Sequence, residues 1–175
     1  MGLSSAPPDR GSLGWLNRLD EDRATGELHA CCAADAWVRG MLAARPFAST
    51  SALLETSDAL VASLDEDGLS EALGAHGRIG ESSAGATQEA AWSREEQGAA
   101  LAAVGDVRDQ LREGNRAYER RFGRVFLIRA SGRSPEDMYD ALLDRLGNDE
   151  ETERAVVLHE LGEIVRLRLG RLVNR

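Results

Sequence analysis

The string NDEETERAVVLHELGEIVRLRLGRLV, residues 148–173, sets the architecture. Asn148, Asp149, Glu150 and Glu151 are a helix start: a short polar side chain caps the free N–H groups, and acids suit the positive end of the dipole. Beyond them, Val157, Leu161, Ile164, Arg168 and Leu172 step by four, three, four and four, so they share one face. The spacing predicts one long helix to Val173. Arg168 interrupts its apolar stripe. A guanidinium buried without a partner is expensive. Arg168 therefore pairs with an internal acid, binds an anion in a pocket, or snorkels from near the helix end. Arg166 falls on the opposite face. Arg171 lies close to the stripe but nearer the end, where water is within reach.

Working back from this helix, the chain reads as further helices. Ser134-Pro135-Glu136-Asp137 is a strong start, with proline at the first position and an acid three residues after the cap, and its helix runs to Gly147. Residues 124–128, Arg-Val-Phe-Leu-Ile, form the one strand-like stretch. With no evident partner, they are expected to be an extended segment, not a sheet. A helix from Asp106 ends near Phe122, with Gly123 as its stop. Another begins at Ser93. Residues 81–91 are small and polar and read as a loop. Toward the N-terminus, helices are expected at 13–19, from a cap at Asp20 to about 33, at 36–44 with Asp35 as cap, from Ser49 or Thr50, and after Asp65. The fold class is all-α. One compact domain of eight to nine helices spans residues 12–175, carries one extended segment, and follows a loose tail at 1–11.

Composition removes several functions. All 21 basic residues are arginine, which excludes a lysine Schiff base and a P-loop lysine. The net charge of −9 gives no support to binding nucleic acid or an anionic membrane. No apolar run is long enough to span a bilayer. Cys31 and Cys32 are adjacent, so a relaxed disulfide between them is disfavoured, and two thiols make a poor metal site. They read as small core residues in a reducing, cytoplasmic setting.

Three local signals point toward chemistry on a small anion. His76 sits in Ala75-His76-Gly77-Arg78-Ile79-Gly80, a break in the helical pattern. Histidine exchanges protons near neutrality, and glycine allows close approach of a ligand. The plainer reading is a surface histidine in a loop. Ser93-Arg94-Glu95-Glu96-Gln97 has Glu96 three residues after Ser93, the spacing of a capping box, which by itself accounts for both residues. The same helix N-terminus also offers free N–H groups to an anion. Arg168 is the third signal. His29 and His159 lie inside helices and read as structural or solvated.

These pieces, taken with Leu16-Asn17, Arg45-Pro46-Phe47, Asn115-Arg116-Ala117-Tyr118, Arg121-Phe122-Gly123 and Arg145-Leu146-Gly147-Asn148-Asp149, give the chain a family look. From about Leu16 to Leu172 it resembles the decarboxylases of 2-oxo-4-hydroxy-4-carboxy-5-ureidoimidazoline (OHCU), which act in urate breakdown. The resemblance implies an all-helical homodimer that forms (S)-allantoin, a carboxy-lyase with no metal or organic cofactor. It implies His76, Glu96 and Arg168 as catalytic residues. Gly77, Ser93, Arg94, Glu95 and Gln97, and the segment Arg124, Val125, Phe126, Leu127 and Ile128, are implied as substrate contacts. One position departs: the family motif is usually His-Pro-x-Ile-Gly, and Gly77 stands where proline would fix the backbone beside the histidine. The alternative is a non-catalytic or altered-substrate helical module that holds a small ureide-type anion.

Overall fold

Side-chain caps start most of the helices. In the computed structural model, which describes residues 11–79, 92, 95 and 106–174, Ser12 accepts from the Trp15 N–H to open α1 (Leu13–Arg18). Asp20 accepts from Arg23 N at 2.9 Å to open α2 (Glu21–Cys31). Ser49 does the same for α4 (Thr50–Ala62), and Asp65 for α5 (Glu66–Gly74). The exception is α3 (Asp35–Ala43). Asp35 is its first residue, not its cap, and the Asp35 N–H is taken by the Glu71 carboxylate at 3.0 Å. A neighbouring helix supplies the acceptor that the local sequence was expected to give.

Three more helices follow. A helical span, α6 (Asp106–Phe122), ends where Gly123 turns to φ +65°, a backbone angle that favours glycine. The expected capping box opens α7 (Pro135–Leu146): Ser134 Oγ accepts from Asp137 N at 3.0 Å, and Asp137 accepts from Ser134 N at 3.1 Å. Asp149 caps α8 (Glu150–Val173) through Thr152 N at 2.7 Å. The described residues hold eight helices and no strand, and residues 125–130 are neither helix nor strand. The all-α reading holds.

The core has two parts. In the first, α8 packs on α4, α2 and α1, and α3 packs on α2, α4 and α5. Val157, Leu161, Ile164 and Leu172 all point into it, as the spacing required. Trp37 is buried there and donates to Ser57 Oγ at 3.2 Å, and Cys31 and Cys32 are buried and not joined in a disulfide. The second part joins α6 to α7 through Leu111, Tyr118, Phe122, Met138 and Leu142. These two helices meet closely: a Cβ added at Gly114 would lie 2.7 Å from Leu142 Cδ2. Leu142 is fully buried and has little room to move. Gly114→Ala therefore overpacks this contact at a cost of about 1–3 kcal/mol. The helix-propensity gain of about 1 kcal/mol offsets part of this. Urea denaturation is expected to show a net loss of up to about 2 kcal/mol; a raised midpoint would mean the helices are looser than this.

The extended segment lies between the two parts. Leu127 packs into the first cluster, while Phe126 and Ile128 pack into the second. Alternation along an extended chain accounts for this, since successive side chains point to opposite faces.

Candidate active site

The residues around His76 span the same seam. Leu73 belongs to the first cluster and Ile79 to the second, so the loop that carries His76 passes from one to the other. Contacts with both parts of the core hold it. His76 N donates to Leu73 O at 2.9 Å as α5 ends. Asn115, buried on α6, donates to Ile79 O at 2.8 Å. Arg78 forms a two-pronged ion pair with Glu119, at 2.5 and 3.0 Å.

The imidazole is buried, at 8% exposure. Its Nδ1 lies 2.8 Å from Ala72 O. A carbonyl only accepts, so in the neutral ring the proton sits on Nδ1 and the Nε2 lone pair is free. Among the described residues Nε2 has no hydrogen-bond partner. Burial lowers the His76 pKa from 6.5 to about 4, and the Arg168 charge adds to this, against the opposing bond to Ala72. At neutral pH the ring is uncharged and its buried Nε2 is an acceptor. The surface-loop reading of His76 does not hold.

Arg168 is fully buried, and its Nη1 donates to Cys31 O at 3.4 Å. Its charge reaches His76, so the long helix and the α5 terminus bring these two residues together. Snorkelling is thereby ruled out. By contrast, Arg166 lies on the exposed face, pairing with Asp58, and His29 and His159 are exposed.

The other expected site residues divide into three groups. Ser93, Arg94, Glu96 and Gln97 lie outside the described residues. Glu95 is exposed and pairs with Arg171 at 3.4 Å. Gly77 is half-buried, and it is not among the glycines with positive φ, so the sign of φ does not demand glycine there. In the extended segment, Phe126, Leu127 and Ile128 are buried and Val125 is half-buried. The Arg124 side chain is mostly buried, donates from Nε to Phe122 O at 3.2 Å and pairs with Glu150. It also lines a cleft of about 310 Å³ with Ser70, Leu73 and Val125.

Sequence reasoning missed a buried polar network beside this segment. Glu153 is 0% exposed and Arg145 is 7% exposed. The Arg145 guanidinium donates to Glu153 Oε1 at 2.9 and 2.6 Å, and to Leu127 O at 2.7 Å. Tyr118 donates to Glu153 Oε1, and Asn148 donates to Oε2 at 2.8 Å. Burial, then the bond to Glu153, pushes the Tyr118 hydroxyl well above its ordinary pKa, so it stays protonated. A signal was available for both ionic residues. Glu153 lies four residues before Val157 and continues the stripe that singled out Arg168; Arg145 continues Met138 and Leu142 at spacings of four and three.

Among the described residues no cluster of His, Cys, Asp or Glu could hold a metal ion, and no helix is long and apolar enough to cross a membrane. A neutral imidazole acceptor and a buried guanidinium within its field suit an anion that must lose or gain a proton.

The chain is similar to known proteins along most of its length. The chain is 30% identical over 164 residues to the uric acid degradation bifunctional protein PucL of Bacillus subtilis, covering 91% of this chain and 32% of that one. It is 29% identical to the uric acid degradation bifunctional protein TTL of Arabidopsis thaliana, over 85% of this chain and 47% of that one. The chain thus spans about a third to a half of the curated relatives it matches. A crystal structure of OHCU decarboxylase in the presence of (S)-allantoin superposes with a TM-score of 0.74 at 26% identity, over 86% of this chain and 99% of that one. A crystal structure of (S)-allantoin synthase shares the fold, with a TM-score of 0.68 at 16% identity over 90% of this chain and 52% of that one. The family model described as OHCU decarboxylase matches residues 17–170, and the chain belongs to that family.

Proposed function

We propose that this protein removes carbon dioxide from OHCU and releases (S)-allantoin, without a metal or organic cofactor. The observation that carries the reading is the buried His76 Nε2, uncharged and without a partner among the described residues, within the field of Arg168. In the reaction the bond to the carboxylate breaks and its electron pair enters the conjugated ring. The carbon that bears the ureido group and the ring nitrogen each gain a proton, the hydroxyl gives one up, and water supplies the balance.

In this reading, Arg168 holds the anionic substrate and steadies the charge that develops on it. His76 Nε2 accepts the hydroxyl proton and returns a proton to one face of the ureido carbon, which sets the S configuration. A bound carboxylate offsets part of the Arg168 charge, which raises the His76 pKa from about 4 toward a value suited to proton transfer. Glu96 orients His76 or holds ureido N–H groups, with Ser93, Arg94, Glu95, Gln97 and Gly77 around the substrate. The segment 124–128 offers main-chain groups. Residues 12–175 act as one domain, in a cytoplasmic homodimer.

The test is carbon dioxide release from OHCU generated in place. Release well above the protein-free rate, in proportion to protein added, is the expected result. Release at the protein-free rate, with thermal stabilisation by allantoin, would support a binding module instead.

A further inference from the structure

Polar pairs are seldom worth burying for stability alone, since an apolar replacement of similar shape is often neutral or better. Arg145 and Glu153 nevertheless sit inside a cluster made otherwise of Leu111, Tyr118, Phe122, Phe126, Met138 and Leu142. Every strong partner of Glu153 comes from a different place: Tyr118 from α6, Arg145 from α7 and Asn148 from the turn before α8. The guanidinium also lies over the Phe126 ring, 4.6 Å from its centre. What this assembly reaches outside itself is the Leu127 carbonyl, at 2.7 Å from Arg145 Nη1.

A second anchor sits two residues on. The Arg129 N–H donates to Glu160 Oε2 of α8 at 2.7 Å. In an extended chain, one residue's N–H and C=O share a side, and the next residue's point the other way. Leu127 C=O and Arg129 N–H therefore face α7 and α8. The main-chain groups of Phe126 and Ile128 face away from both anchors. These two residues are each 2% exposed. Among the described residues none of their main-chain N–H or C=O groups has a hydrogen-bond partner. Buried main-chain groups left without partners are rare in folded proteins, and a ligand is one way to satisfy them.

We propose that Arg145, held by Glu153, is a positioning residue: by fixing the Leu127 carbonyl it aims the main-chain groups of Phe126 and Ile128 at the bound substrate. The idea rests on the proposed decarboxylase function for the identity of that ligand. Neither Arg145 nor Glu153 touches the substrate. They act through the backbone, and a slip of the segment by one residue would present the wrong set of groups.

Arg145→Lys tests this. Lysine keeps the charge beside Glu153 but cannot reach both Glu153 and Leu127 O with one planar fork. At a temperature where the variant is fully helical by circular dichroism, kcat/KM for OHCU is expected to fall about 10–100-fold, as for other small misplacements of binding groups. Hydrogen exchange at the Arg129 amide should speed up at least about tenfold, while amides in the middle of α8 keep their rates. A purely structural role would lower Tm yet leave the kinetics of the folded protein and the Arg129 exchange rate unchanged, and that result overturns the proposal. If the lysine variant does not fold, Glu153→Gln replaces it, keeping an acceptor for Arg145 without the charge, with the same readouts and a smaller effect. Should the unaltered protein fail to turn over OHCU, the function falls, while the exchange measurement, which needs no substrate, still decides whether Arg145 sets the segment.

Discussion

His76→Asn lowers kcat by about 10²–10⁴-fold, the usual contribution of a positioned proton-transfer group, and leaves the helical circular-dichroism spectrum intact. Asparagine is the apt replacement because its amide can still donate to Ala72 O, the bond that Nδ1 makes at 2.8 Å. What it lacks is a lone pair at the Nε2 position that can hold a proton. Wild-type turnover by this variant would take His76 out of the mechanism.

The same variant has a stability signature. The native His76 pKa, about 4, lies below the unfolded value of 6.5. As pH falls, the unfolded chain takes up the proton first. The stabilising contribution is therefore complete above pH 6.5 and is lost as pH drops toward 4. At about 1.4 kcal/mol per unit, the loss is on the order of 3 kcal/mol. Urea midpoints at pH 7 and pH 4.5 should thus differ more for the wild-type protein than for His76→Asn. An equal difference in both would mean that the native ring is charged or exposed.

Arg168→Met removes the buried charge while filling most of its volume. The expected fall in kcat/KM is about 10²–10³-fold, comparable to deleting one donor that meets developing negative charge. A second effect is independent of turnover. Arg168 is the second cause of the low His76 pKa, after burial, so its removal raises that pKa. Imidazole resonances followed through a pH titration should move to a higher midpoint than in the wild-type protein. An unmoved midpoint would separate the two residues and dismantle the site.

Much of this fold is legible in the chain because its helices begin on local chemistry. Asp20, Ser49, Asp65, Ser134 and Asp149 each cap the helix that follows. Asp35 shows where that logic stops, since its N–H finds Glu71, thirty-six residues away, and no local pattern encodes such a pairing. Arg168 was readable because a charge in an apolar stripe has no bland local explanation apart from snorkelling near the helix end, which its full burial excludes. Glu153 and Arg145 were overlooked because they do have one: an acid in the first turn of a helix and an arginine in the last turn both suit the helix dipole. The protonation state of His76 could not be read at all. It depends on the end of α5 placing Ala72 O beneath the ring and on α8 bringing Arg168 close, and both are tertiary facts.

The measurement that tests the central claim most directly is the optical activity of the product. Urate would be converted to OHCU by its upstream enzymes in the cuvette, the protein added at once, and allantoin followed by circular dichroism. The account predicts rapid growth of the (S)-allantoin signal with the wild-type protein and only slow, optically silent product with His76→Asn. Product that forms slowly and without optical activity in the presence of the wild-type protein would contradict it.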